Sequence, residues 1–155
     1  MIEIKRNPNG DTRTATKDVT FEEFKEANIQ HILDVMNTMT MLSEMLRKRA
    51  YKHDFTKVIE EEQFYKDFKD TLEGNFNFIE GEWYQEHITK ERHHLTSKCP
   101  EDVNLIDVIE MICDCVCAGL SRSGEVRELE ITDEILKKAV NNTVKLLINN
   151  IEVID

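Results

Sequence analysis

Five glycines and two prolines are all that interrupt 155 residues. Glycine in a helix interior costs about 1 kcal/mol and proline about 3. A chain with so few of either is free to run long helices, whereas many short strands would need turn residues it does not have. The apolar pattern agrees. Behind a capping box at Thr20-Phe21-Glu22-Glu23, the residues Phe24, Ile32, Val35, Met39, Leu42 and Leu46 recur at steps of three and four, which predicts a helix to about Arg49. Met36, Met39, Met41 and Met45 read most simply as core filler within it.

The same reading predicts a helix from Thr56 to about Leu72, a loop from Gly74 to Gly81, and a helix carrying Trp83, Tyr84, His87, Ile88 and the pair His93-His94. After the loop Thr96–Asp102 comes the most apolar segment, Val103 to Leu120, then a turn over Ser121–Glu125. A final helix, capped at Thr132, runs through about Asn150. Only residues 1 to 16 look different. Ile2, Ile4, Thr12 and Thr14 alternate around Asn7-Pro8-Asn9-Gly10-Asp11, a hairpin signal. The expected fold is all-α: a bundle of about five to seven helices in one domain, with residues 1–18 as a hairpin extension and residues 20–150 as the helical body.

Composition narrows the function classes. The net charge of −11 disfavours a broad nucleic-acid surface, which needs clustered Lys and Arg. No window of about 18 apolar residues is present, and the N-terminus lacks the apolar run of a signal peptide, so a cytoplasmic protein is expected, in the host cytoplasm if phage-encoded. Of the cysteines Cys99, Cys113, Cys115 and Cys117, three alternate on one helix and cannot converge on one ion; they read as small buried hydrophobes. The one dense basic run, Arg47 to Lys52, fits either a helix C-terminus, where cations complement the dipole, or a rim facing phosphate.

Chemistry concentrates elsewhere. His53-Asp54 joins an imidazole to a carboxylate, the two donor types that divalent transition metals share. His87, His93 and His94 place three histidines in eight residues, hard to explain as packing because each needs hydrogen-bond partners when buried. His31 lies beside an apolar stripe. Asp107, Glu110 and Asp114 are spaced by three and four, so three carboxylates share one face of a nearly all-apolar helix, a costly arrangement unless a cation resolves it.

In chain order these candidates are His31, His53-Asp54, His87, His93-His94 and an acid within Asp107–Asp114. The order resembles the HD-domain superfamily of metal-dependent phosphohydrolases: a His, an adjacent His-Asp, then a distal Asp. The additional histidines resemble its two-metal members, among them cyclic-dinucleotide phosphodiesterases and mixed-valent di-iron oxygenases. The spacing His87-x5-His93-His94 followed by Ile106 to Asp114 looks like a small uncharacterised HD-like family found in phage and bacteria. The resemblance covers about residues 28 to 148. Position 91 departs from it, being Glu where Asn would be expected.

The resemblance implies an HD-like bundle whose ligands are His31, His53, Asp54 and Asp114, with Asp107 as the alternative to Asp114, and with His87, His93 and His94 holding a second ion bridged by Asp54. It implies that Lys57, three residues after the Asp, contacts a substrate phosphate, that Arg92 assists, and that Glu110 supports the ligands or transfers a proton. The cofactor would be one or two divalent transition ions; mixed nitrogen and oxygen donors suit Fe, Mn, Co, Ni or Zn better than calcium. The activity implied is hydrolysis of a phosphoester of a nucleotide or cyclic nucleotide by a metal-activated water. Two other readings compete: a di-iron oxygenase, and a non-catalytic HD-like protein that binds a partner, such as a phage protein acting on a host protein. A small phosphorylated substrate is the expected partner, and homo-oligomers are compatible with the sequence.

Overall fold

A computed structural model describes all 155 residues and shows an all-α chain with one small strand pair. The helices are α1 (Phe21–Ala50), α2 (Phe55–Ile59), α3 (Glu61–Leu72), α4 (Glu82–Lys90), α5 (Leu105–Ser123) and α6 (Asp133–Ile148); the strands are β1 (Ile2–Lys5) and β2 (Ile151–Ile154). No helix is long and apolar enough to cross a membrane. The chain forms two compact units, one of residues 1–46 with 144–155 and one of residues 47–143.

In the first unit, the expected N-terminal hairpin does not form. β1 pairs instead with β2, in parallel, with Ile2 opposite Ile151 and Lys5 opposite Ile154. Asn7 caps a short 3₁₀ turn over Pro8–Gly10 by accepting from the Asn9 amide at 3.2 Å. Asn-Gly makes a hairpin only when both residues take positive φ, and Gly10 does not. A Cβ at Gly10 would lie 3.3 Å from the Ala27 Cβ, so the turn is seated close on α1. The capping box of α1 forms as expected: the Thr20 amide donates to Glu23 at 2.8 Å and the Glu23 amide to Thr20 Oγ1 at 3.3 Å.

In the second unit, the single helix expected over residues 56–72 is two, because Glu60 leaves the helical region (φ −120°, ψ 27°) between α2 and α3. α4 stops at Lys90, so His93 and His94 lie in irregular chain beyond it. α5 starts at Asn104 with a full capping box to Asp107 and ends at Gly124, whose φ of 78° is the left-handed conformation that glycine adopts at helix ends. The core here is Leu95, Val103, Val108, Met111 and Ala139, with Leu129, Ile131, Ile135 and Leu136 packed around it. Burying each large member contributes about 1.5–3 kcal/mol. Of the three α5 cysteines expected to be buried, Cys115 is half-buried and packs against that core, but Cys113 and Cys117 are exposed on the outer face of α5; Cys99 is exposed as well.

Candidate metal centre

Histidines and acids from the turn before α2, from α4 and α5, and from the segment after α4 meet within the second unit. Asp54 is at the middle. It is the chain's one non-glycine residue with positive φ (54°), a left-handed conformation that costs on the order of 1 kcal/mol and persists where surroundings enforce it. Its carboxylate faces two groups of nitrogens. Oδ1 lies 3.5 Å from His93 Nε2 and 3.6 Å from His87 Nε2, and Oδ2 lies 3.4 Å from His53 Nε2. His94 Nε2 is 2.8 Å from His87 Nε2. Two overlapping triads result, His53–Asp54–His93 and Asp54–His87–His94, each with its donor atoms within 4.8 Å of one another. Asp114 adjoins the first, with its oxygens 3.6 Å from His53 Nε2 and 4.0 Å from His93 Nε2.

These separations fit a cation better than a hydrogen-bond network. Donors about 2.1 Å from a common ion stand roughly 3–3.4 Å apart. Most of the distances above are too long for hydrogen bonds. Asp54 Oδ1 and His93 Nε2, which face each other, are buried without a hydrogen-bond partner, an expensive condition that a bound ion would remove. These clusters can therefore hold a metal.

The opposite edges of the rings are held by other groups, which fixes the tautomers. Thr56 Oγ1 donates its one proton to Glu91 (2.8 Å), so its 2.7 Å contact with His87 Nδ1 must have the histidine donating. His87 Nε2 is then left with a lone pair facing Asp54 and His94. Glu91, the departure noted at that position, also accepts from the Thr56 amide at 3.0 Å and is only 4% exposed. Trp83 stacks on the His87 ring at 4.6 Å and on Phe64 at 3.9 Å, fixing the imidazole plane. Asp67 anchors this layer by accepting from the Trp83 amide at 3.1 Å. A Cβ at Gly81 would come within 2.8 Å of that carboxylate, so the approach needs glycine.

Glu110 does for the first triad what Thr56 does for the second. Its Oε1 accepts from His53 Nδ1 at 3.1 Å and lies 3.4 Å from His93 Nδ1, turning both Nε2 atoms toward Asp54 and Asp114. Arg49 holds Glu110 at 3.1 Å and reaches Asp107 at 2.8 Å. Burial opposes charge on His93, but Glu110, with Asp54 and Asp114, outweighs it and raises its pKa; Glu110 itself is lowered by His93 and His53 against its own burial.

Of the residues expected at the site, His53, Asp54, His87, His93, His94 and Asp114 converge, with Lys57 paired to Asp54 and Glu110 behind the rings. Four expectations change. His93 sides with His53 rather than with His87 and His94. Asp107 is no alternative ligand: it is fully buried and its oxygens accept from Arg92 Nε (2.9 Å), Arg92 Nη2 (2.8 Å), Arg49 (2.8 Å) and the Asn104 amide (3.0 Å), which leaves no lone pair for an ion. Arg92, expected to face substrate, is instead committed to Asp107 and to Asp102 at 2.9 Å. His31 is exposed on α1 and belongs to neither triad. Sequence reasoning missed Thr56, Glu91, Arg49 and Trp83 as supports of the site. Only Arg49, within the basic run, carried a signal.

Two results are expected of this arrangement. Thr56→Val keeps the shape but removes the acceptor of the His87 proton and the donor to Glu91. Chelator competition should show metal affinity about 10–100-fold weaker. The second result concerns pH. Burial, then the neighbouring histidines, holds His87 and His94 down at about 4, from 6.5. The unfolded chain therefore takes up these protons first, and metal-free protein loses stability as pH falls from 6.5 toward 4. The raised His93 offsets part of this. Urea denaturation at pH 7 and pH 5 should show a net loss on the order of 2 kcal/mol. Stability that rose toward pH 5 would contradict the burial of neutral imidazoles.

A model for a family of unknown function (DUF5662) matches residues 20–152. No curated protein and no solved structure matches the chain.

Proposed function

The chain belongs to the DUF5662 family, whose function is unknown, and from its site we infer a metal-dependent phosphohydrolase that acts on a nucleotide-sized phosphoester. The observation that carries this reading is the buried, partnerless Asp54 Oδ1 set between the Nε2 atoms of His87 and His93, at the junction of two ligand triads. Histidine and carboxylate donors of this kind suit one or two divalent transition ions such as Mn, Fe, Co, Ni or Zn. When bound, such an ion lowers the pKa of a coordinated water to about 7 and stabilises charge on a phosphoryl group.

The protein's own residues supply the rest. Asp54 and Asp114 provide negative charge to hold cations, and Glu110 and Thr56 keep the imidazole lone pairs turned inward. Lys57, ion-paired to Asp54 and part-exposed, would be free to neutralise a phosphate once Asp54 is engaged by metal. A cavity of about 600 Å³ opens from His93, His94 and Asp114 toward Arg122 and Arg127. That volume suits a ligand of nucleotide size. Arg122 is eight residues beyond Asp114 on α5, about 12 Å along the axis. Neither arginine is tied to a carboxylate. The far wall is held on α5 at Gly119, where a Cβ would meet the Glu125 carbonyl at 2.6 Å.

The test is phosphate release from a panel of nucleoside monophosphates and cyclic nucleotides, with added Mn²⁺ and with chelator. Turnover that needs metal and disappears with chelator supports the reading. Protein with metal bound that turns over no phosphoester of the panel contradicts it.

A further inference from the structure

The end of the cavity remote from the histidines has no part in holding metal. The whole lining lies within residues 47–143, and much of it comes from one face of α5. Asp114, Ala118 and Arg122 stand four residues apart and form a row along that helix. An acid that adjoins the first triad is at one end of the row and a guanidinium at the other. Between them Ala118 and Gly119 carry almost no side chain, which leaves the floor of the groove low.

A second arginine arrives by a tightly built turn. α5 ends at Gly124 and the chain folds back on the helix: a Cβ on Gly119 would lie 2.6 Å from the Glu125 carbonyl oxygen and 3.1 Å from Val126 Cα. Ser123 Oγ fastens this turn, 3.1 Å from the Gly119 carbonyl oxygen and 3.2 Å from that of Glu125. Arg127 follows directly after the segment pressed on α5. Beyond it burial alternates. Leu129 and Ile131 pack on the core, whereas Glu128 and Glu130 are exposed. Arg127 is in phase with Leu129, and the two acids of the same wall are out of phase with it. Within residues 47–143 neither Arg122 nor Arg127 is ion-paired. Two unpaired guanidiniums on a cavity wall, in a chain of net charge −11, favour an anion there.

We propose that Arg122 and Arg127 form a second phosphate subsite, so that the substrate is a phosphoester with another phosphate at its end remote from the metals. The position of the first phosphate rests on the phosphohydrolase reading. Asp114 to Arg122 rises about 12 Å along the helix. The guanidinium reaches back over part of that distance, which leaves room for one nucleoside between the two phosphates.

Adenosine 3′,5′-bisphosphate and adenosine 5′-monophosphate are the matched probes, since they differ only in the second phosphate. With Mn²⁺ at low salt the bisphosphate should show a KM at least about 10-fold lower, an advantage that shrinks as salt is raised. Arg122→Gln combined with Arg127→Gln should raise the KM of the bisphosphate about 10-fold more than that of the monophosphate. Lys at both positions should keep part of the advantage, and far-UV circular dichroism should show both variants folded. Calorimetric titration of the Mn²⁺-loaded protein with the same two compounds reads binding apart from turnover. Wild-type protein that binds neither compound, or both equally, overturns the subsite. An advantage that survives in the folded Gln variant overturns it as well. Preferential binding that the Gln variant loses, with no phosphate released, leaves the subsite standing and contradicts hydrolysis; release without preference does the reverse.

Discussion

Asp54→Asn is expected to leave a folded protein that binds little metal and turns over substrate at least about 10³-fold more slowly. Asp54 is the one residue that both triads share, so its charge is lost to both at once. Asparagine is the informative replacement. It tolerates the positive φ of 54° at this position, as alanine does not, so the backbone need not move. Metal analysis of the dialysed protein, the thermal midpoint and phosphate release together separate outcomes. Metal lost with the midpoint of the metal-free protein unchanged is the expected result. Metal content equal to wild type would mean that the ion, if any, is held without Asp54, and the assignment of the site would fail.

The second large effect is on stability. Asp107→Ala removes the buried carboxylate that Arg49 and Arg92 share, leaving Arg49 with Glu110 and Arg92 with Asp102, and removes the carboxylate of the α5 capping box. Breaking a buried charge pair costs about 3–5 kcal/mol, less where the remaining partner reaches solvent, and the cap contributes about 1. Arg49 and Arg92 keep roughly a quarter of their side-chain surface in water, so a loss of about 3 kcal/mol is expected as a shift of the urea midpoint at constant slope. Metal content below the midpoint should persist, because the oxygens of Asp107 are committed to Arg49, Arg92 and the Asn104 amide. A ligand role for Asp107 predicts the reverse: metal lost and stability nearly kept.

How much of this was legible in the sequence depends on how local each cause is. The helices were, because the three- and four-residue spacing and the caps at Thr20 and Thr132 act within a turn or two. The partner of β1 was not: Ile2 pairs with Ile151, and nothing near Asn9-Gly10 reports a strand at the other end of the chain. The break at Glu60 carried no proline or glycine to announce it. Most residues of the cluster could be picked out from the sequence because imidazoles and carboxylates suited to one site are few. Their grouping could not, since His93 and His94 are neighbours in sequence yet belong to different triads once α4 ends at Lys90. Asp107 shows the limit most plainly. On the helix it shares a stripe with Glu110 and Asp114, and only the long-range arrival of Arg49 and Arg92 makes it a structural acid rather than a ligand. Arg92 was assigned to substrate for the same reason, its true partners being 10 and 15 residues away.

The exposed cysteines follow the same logic. Cys113 and Cys117 share a face of α5, and periodicity states that they align, not whether that face is inside.

The most direct measurement of the central claim is an anomalous difference map from crystals grown with Mn²⁺. The account predicts density within about 2.5 Å of Asp54 Oδ1, bounded by the Nε2 atoms of His53 and His93 or of His87 and His94. Density at Asp107, at a surface acid, or absent while Asp54 and the four Nε2 atoms stand as described here would contradict it.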